Sequence, residues 1–363
     1  MSTVVLVGTT KGLFSLRADD GRAGFELQGP AFAGEEVYAT CVDTRTPHPR
    51  LFVGSVSNHW GPVLRRSDDL GASWTEEVAV SLAFPAESGT SLARIWQLTP
   101  GPADEPDVVY AGVEPAALFR SDDGGRSFAL VQGLWDHPHR PRWQPGGGGL
   151  CLHTVLVHPA DPDRLLVAIS AAGVYLSDDG GRSWRAGNTG ITVPFMPDDP
   201  EPEFGQCVHK VARDAVDPET LYLQHHGGIY RSDDGGGSWT PMTTIAGMDF
   251  GFPVVAHPTE PGTAYLLPLQ SDEYRCTPDG RCTVWRTRDA GGSWEPLTTG
   301  LPQHDAHLTV LRDGFTGDGL DPAGLYFGTR TGEVYASTDD GDSWLLLADH
   351  LPPVLSVRAG ATG

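Results

Sequence analysis

His153, His209 and His307 each stand five residues ahead of a comparable end-of-strand position, at His158, Asp214 and Arg312. His153 and His209 also follow a cysteine by two residues, Cys151 and Cys207. Residues two apart on a strand share a face, so each Cys-His pair points one way. Neutral imidazoles gathered from three places are donors for Zn, Fe, Mn or Cu, and three of them leave positions open for water or substrate. Cys151 or Cys207 would supply a soft fourth ligand or pack behind the ring. His225 and His226 are further candidates, although neighbours on a strand face opposite ways and one of them at most would enter the site. Arg94 and Arg140 suit negative charge, and Trp60, Trp96 and Trp143 suit apolar walls, with His59 beside Trp60. The chemistry expected from this set is a metal-dependent reaction on a small polar or anionic molecule. The plainer account has each histidine bonding a backbone group and the cysteines packing as small apolar residues, which leaves a non-catalytic ligand-binding or assembly scaffold.

A second chemistry needs two carboxylates flanking a glycosidic bond. Glu36, Glu114, Asp136, Asp249 and Glu333 are the loop acids that could supply them, and solvated loop carboxylates are the alternative reading of all five. Schiff-base chemistry has only Lys11 and Lys210 to draw on. No nucleotide-cofactor motif is present. Five cysteines in 363 residues do not form a disulfide framework; Cys276 and Cys282 flank one hairpin tip where they could face each other, and free thiols or a labile bond are expected there. Acids outnumber Lys plus Arg by 47 to 25, a net charge of -22, which argues against nucleic acid or an anionic membrane as a partner. A small-molecule ligand is expected, with a protein partner left open. No run of 18 apolar residues and no basic leader are found, so the expected location is cytoplasmic.

The elements that carry these residues are set by repetition. Gly and Pro number 46 and 30, too dense for a mostly helical chain. A pattern Ser/Thr-x-Asp-x-Gly-x-Ser-aromatic recurs from Ser67, Ser121, Ser177, Ser232, Thr287 and Ser337, with starts 54, 56, 55, 55 and 50 residues apart. Strand-like runs flank each copy, as Gly173-Val174-Tyr175-Leu176 and Trp184-Arg185-Ala186 do the third. Each copy is therefore a hairpin turn, in which Asp69, Asp123, Asp179, Asp234, Asp289 or Asp339 accepts backbone N–H groups and the aromatic is buried. Upstream of each turn lie a second hairpin and a further strand, which makes four short antiparallel strands per repeat, a propeller blade.

The turn resembles the Asp-box of the BNR-repeat and sialidase superfamily, also described as WD40/YVTN/BNR-like repeat proteins and often labelled glycosyl hydrolase or exo-alpha-sialidase. In blade number the chain is also similar to a lobe of the xyloglucan-cleaving endoglucanases and to photosystem assembly factors built from this repeat. The resemblance implies structural boxes on one face of the ring and chemistry in loops on the other. Sialidase activity is not expected: the Phe-Arg-Ile-Pro segment is absent, and the one Arg-Ile, Arg94-Ile95, follows the first box.

A worn seventh copy opens the chain, with Asp19-Asp20-Gly21 where a box would be, and it lacks an inner strand. Residues 353–358 supply a spare strand. The expectation is an all-β, seven-bladed propeller of four-stranded blades, one domain over 1–363, with 1–30 and 353–358 forming a split blade that closes the ring. Counting back five residues in each blade gives one equivalent position at the mouth: Tyr38, Arg94, His153, His209, Phe252, His307 and Pro353.

Overall fold

In the fourth blade, Leu165, Val167 and Ile169 pair with Ser177, Tyr175 and Gly173. Residues 165–169 are all buried, because a middle strand of a blade is covered by neighbouring blades on both faces. β-Branched and aromatic residues suit that environment, and the same solution is repeated around a ring. The computed structural model describes residues 2–18, 22–75, 82–194, 196–245 and 247–362. The Asp19-Asp20-Gly21 copy of the turn lies outside the described residues.

Seven antiparallel sheets surround a central channel. Their inner strands are Val354–Thr362 (blade 1), Glu36–Asp43 (blade 2), Arg94–Pro100 (blade 3), Leu152–His158 (blade 4), Val208–Arg213 (blade 5), Gly251–Ala256 (blade 6) and Phe315–Gly317 (blade 7). Six sheets have four strands; blade 2 has three among the described residues, followed by one bridge from Arg66 to Thr75. Blade 1 joins the chain ends: Val354–Thr362 pairs with Ser2–Thr9 in a ladder that places Leu6 opposite Arg358 and Val7 opposite Val357. The closing strand runs four residues beyond the end expected from sequence. Among the described residues no helix is long and apolar enough to cross a membrane.

The six turns share one hydrogen-bond scheme. At the third, Ser177 Oγ accepts from Gly181 N and donates to Asp179 Oδ1, while Asp179 accepts from Ser183 N at 2.9 Å and Ser183 Oγ at 2.6 Å. Gly181 takes φ 89°, where a side chain would be strained. Asp69, Asp123, Asp234, Asp289 and Asp339 accept from the serine four residues on in the same way. All six lie at the end of the ring away from the starts of the inner strands. Apolar clusters fill the gaps between blades, such as Phe52 and Cys41 against Val109 and Phe119 between blades 2 and 3.

Candidate functional site

The inner strands enter at the mouth, and there the ladder is interrupted. In blades 2, 3, 4, 5 and 6 the register shifts between Val37 and Ala39, Ile95 and Gln97, Leu152 and Thr154, Val208 and Lys210, and Gly251 and Val254. A bulge adds a residue to one strand and re-aims its side chain. The residues at these bulges are Tyr38, Trp96, His153 and His209, with Phe252-Pro253 in blade 6. This corrects the sequence alignment at blade 3, where Trp96 and not Arg94 stands at the equivalent position. It also corrects blade 7, whose inner strand starts only at Phe315, so that the count from Arg312 ends in the preceding loop at His307.

His153, His209 and His307 therefore do not converge. His153 is fully buried, donates from Nε2 to the Val208 carbonyl at 3.0 Å and accepts at Nδ1 from Thr154 Oγ1 at 3.0 Å, which leaves no nitrogen for a metal. His307 is exposed and its Nδ1 meets Tyr274 Oη at 3.1 Å. His209 donates from Nδ1 to the Gly251 carbonyl of the next blade at 2.6 Å, and its Nε2 lies 3.7 Å from Cys207 Sγ. Burial, with Arg312 adding to it, holds His153 and His209 well below the ordinary imidazole range, so both are neutral. His225 is buried with its ring nitrogens against the backbone of Cys207 and Gly227. His226 turns the other way, packs edge-on to Phe250 and meets Asp272 Oδ2 through Nε2 at 3.2 Å. Cys207, His209 and His226 bring one ligand atom each to within 4.8 Å of one another, and this is the one such group of three among the described residues.

These three side chains line a cavity of about 580 Å³ over blades 4 to 6. Its walls come from the chain leading into blades 4 and 5, with Trp143, Phe204 and Arg142, and from blade 6 and the approach to blade 7, with Phe252, Arg275 and Arg312. No carboxylate lines it, and none of the three arginines forms an ion pair with a carboxylate among the described residues. Arg312 donates to Cys151 Sγ at 3.3 Å and lies 5.4 Å from the Trp96 ring centre. Cys151 sits buried behind it, its thiol pushed up to about 11 by burial.

The other residues singled out in the sequence fall elsewhere. Arg94 is paired with Glu114 Oε2 at 3.1 Å and stacks 5.0 Å over Tyr38, so its charge is already met. Arg140 stacks on Trp135 and lies outside the cavity, two residues from Arg142, which lines it. Trp143 is a wall as expected from its type, its Nε1 donating to Tyr175 Oη at 2.7 Å. His59 and Trp60 are exposed at a hairpin tip, Trp60 at 84%. Trp96 Nε1 donates to Glu114 Oε2 at 3.0 Å and its ring meets Tyr38 at 5.0 Å. Of the loop acids, Glu36 accepts from Tyr38, Glu333 from Thr331 and Asp136 from Gln132. Asp249, ahead of blade 6, is held above the ordinary carboxyl range by burial, and its Oδ1 has no partner. Cys276 and Cys282 are free thiols.

Beneath the mouth the channel is closed by charge. Lys210 Nζ meets Asp313 Oδ1 at 2.7 Å, Arg358 meets the same oxygen, and Gln97 Oε1 faces both cations. Burial pushes Lys210 down to about 8 against the pull of Asp313. Burial raises Asp313, but Lys210 and Arg358 outweigh it and keep the carboxyl below its ordinary range.

Sequence reasoning passed over Arg142, Arg275 and Arg312. Arg312 served only as a counting mark, because the shortening of blade 7 is invisible in the spacing. The signal available was charge at Arg142 alone, since residues 137–149 hold two arginines and no acid in a chain with net charge -22; Arg275 and Arg312 stand beside Asp272-Glu273 and Asp313 in sequence, and only the fold turns them into the cavity.

The bulged mouth and its cavity define a seven-bladed β-propeller with a ligand-sized chamber at one end of the channel. No family model matches the chain. Curated xyloglucanases from Hypocrea jecorina (strain QM6a) and Paenibacillus sp are each 26% identical, in alignments of 277 and 268 residues that cover 68% and 69% of this chain. The chain spans only 30% and 23% of the length of these relatives. The GH74 xyloglucanase from Xanthomonas campestris has the same fold, with TM-score 0.63 and 18% identity over 99% of this chain and 52% of that one. YCF48 from Cyanidioschyzon merolae aligns with TM-score 0.53 and 13% identity over 85% of this chain and 84% of its own.

Proposed function

We propose that the chain is a glycan-binding propeller of the glycoside-hydrolase kind, holding a saccharide across the mouth of blades 2 to 4. The observation that carries this reading is the similarity to xyloglucanases over two-thirds of the chain. A surface suited to a sugar supports it. The Tyr38 and Trp96 rings lie side by side, Glu114 is held between Trp96 and Arg94, and Arg312 leads from Trp96 into the cavity. Aromatic faces stack on the apolar faces of sugar rings, and a fixed carboxylate accepts their hydroxyls. Hydrolysis needs one carboxyl that keeps its proton and one that does not. Glu114, accepting from Arg94 and Trp96, and Glu36, accepting from Tyr38, are carboxylates at this aromatic pair and would share these roles.

Calorimetry with xyloglucan oligosaccharides tests binding, and release of reducing ends tests turnover. Trp96→Ala is expected to weaken binding at least tenfold, while Glu114→Gln and Glu36→Gln abolish turnover with the complex retained. Wild-type protein that binds no neutral glucan removes this reading. A second reading then stands on the cavity itself. Three arginines with no lining carboxylate favour a small carboxylate- or phosphate-bearing ligand, bound without hydrolysis.

A further inference from the structure

We propose that Cys207, His209 and His226 form an open, three-ligand site for a zinc-class divalent ion, with its remaining position facing the cavity between Arg275 and Arg312. The proposal does not depend on the glycan reading, since it concerns a different set of residues and a different measurement.

The spacing is that of ligands around one ion. Zinc binds thiolate sulfur at about 2.3 Å and imidazole nitrogen at about 2.1 Å in tetrahedral geometry, which puts sulfur and nitrogen about 3.6 Å apart. Cys207 Sγ and His209 Nε2 are 3.7 Å apart, and the His226 ligand atom completes a triangle with no edge beyond 4.8 Å. The bulge at blade 5 produces this arrangement by turning His209 toward the residue two before it.

Each histidine has an orienting partner of the kind metal-binding imidazoles use. A carbonyl can only accept, so the 2.6 Å contact from His209 Nδ1 to Gly251 O fixes the proton on Nδ1 and leaves the Nε2 lone pair toward Cys207. His226 is oriented by the Asp272 carboxylate at 3.2 Å. His153, at the same bulge one blade earlier, has both nitrogens occupied by the protein and makes no such site.

Protein supplies only three ligands, and the cavity side of the cluster has room for more. Binding exchanges the thiol proton for the metal: the S–H bond breaks, a sulfur–metal bond forms and one proton leaves to solvent. Thiolate and divalent ion together carry one positive charge, and Arg275 and Arg312 add two. The open position therefore favours hydroxide or the carboxylate or phosphate oxygen of a ligand.

The test uses the full chain, purified without a histidine tag and kept reduced, with cobalt(II) as the probe. One equivalent of cobalt should bind, give near-ultraviolet thiolate-to-cobalt absorption and be displaced by zinc. Cys207→Ser should lose that absorption, and His226→Ala should weaken cobalt binding by more than about a hundredfold. Asp272→Asn, an exposed change that leaves the ligands in place, should weaken it by about 10- to 100-fold, the usual effect of removing an orienting partner. Far-ultraviolet dichroism shows that each variant is folded. Wild-type protein that takes up neither cobalt nor zinc overturns the proposal, and so does uptake unchanged in Cys207→Ser. Rapid alkylation of Cys207 that depends on His209, with no metal uptake, also overturns it and assigns the pair as a thiol–imidazole nucleophile.

Discussion

His153 Nε2 lies 3.0 Å from the carbonyl oxygen of Val208, so a side chain at the mouth of blade 4 is hydrogen-bonded to the backbone of blade 5. His209 repeats the move one blade on, to Gly251. Both histidines thus stitch successive blades at the point where a bulge interrupts the ladder. They differ in the second nitrogen, which Thr154 occupies in His153 and which faces Cys207 in His209. One position in the repeat serves cohesion in blade 4 and is available for chemistry in blade 5.

That difference predicts separate phenotypes. His153→Ala removes a fully buried side chain and leaves the Val208 carbonyl without its donor, a loss of about 2–4 kcal/mol of stability. Urea unfolding measures it. A loss below about 1 kcal/mol would show that the inter-blade bond is not a structural tie.

Repetition made the ring legible from sequence, because one turn pattern at a fixed period can only be satisfied by stacked equivalent units. The site was legible in its residue types and not in its geometry. The count at blade 3 started from Thr99, although the inner strand runs on to Pro100, so it fell two residues short and Arg94 was aligned where Trp96 stands. The inner strand of blade 7 is three residues long, so His307 was placed in a ring that it does not join. Cys207 with His209 survived the count because the bulge falls at His209 itself and turns it toward the residue two before it. His226 joined them across the sheet through a pairing that no spacing along the chain encodes.

Ring closure rests on the pairing of Ser2–Thr9 with Val354–Thr362. Truncation after Pro352 removes that strand, leaves Val5 and Val7 without cover and exposes the N-terminal strand as a free edge. The expected result is a cooperative transition lowered by more than about 10 °C, accompanied by self-association in sedimentation. Truncated protein that melts with the intact chain and stays monomeric would show that the closing strand is dispensable.

The turn carboxylates give a signed pH dependence. Burial raises Asp123, but its bonds from Ser127 and Ser121 outweigh that and bring it to about 2, against an unfolded value of about 3.9. A carboxyl depressed on folding stabilises the protein fully above its unfolded pKa, and that contribution is lost as pH falls through the folded value. Asp123→Asn should therefore be less stable than wild type near neutrality, with the gap closing as pH drops from about 4 to about 2. Thermal midpoints of the two proteins across that range check it, and a gap independent of pH would assign the effect of the substitution to geometry and not to charge.

Among the described residues Asp313 is the one carboxylate paired with Lys210 and Arg358 in the channel, and its remaining oxygen Oδ2 has no partner there. Asp313→Asn leaves two cations facing each other across a neutral amide. Removing one member of a buried ion pair costs about 3–5 kcal/mol, and the low end of that range applies because the lower channel, about 350 Å³, reaches Lys210 and Arg358. Adding Lys210→Met should recover most of the loss, since one guanidinium beside Gln97 is better tolerated than two unpaired charges. Denaturation midpoints of the single and double variants decide between this and simple packing. If Lys210→Met destabilises Asp313→Asn further, the channel is held by the volume of these side chains and not by their charge.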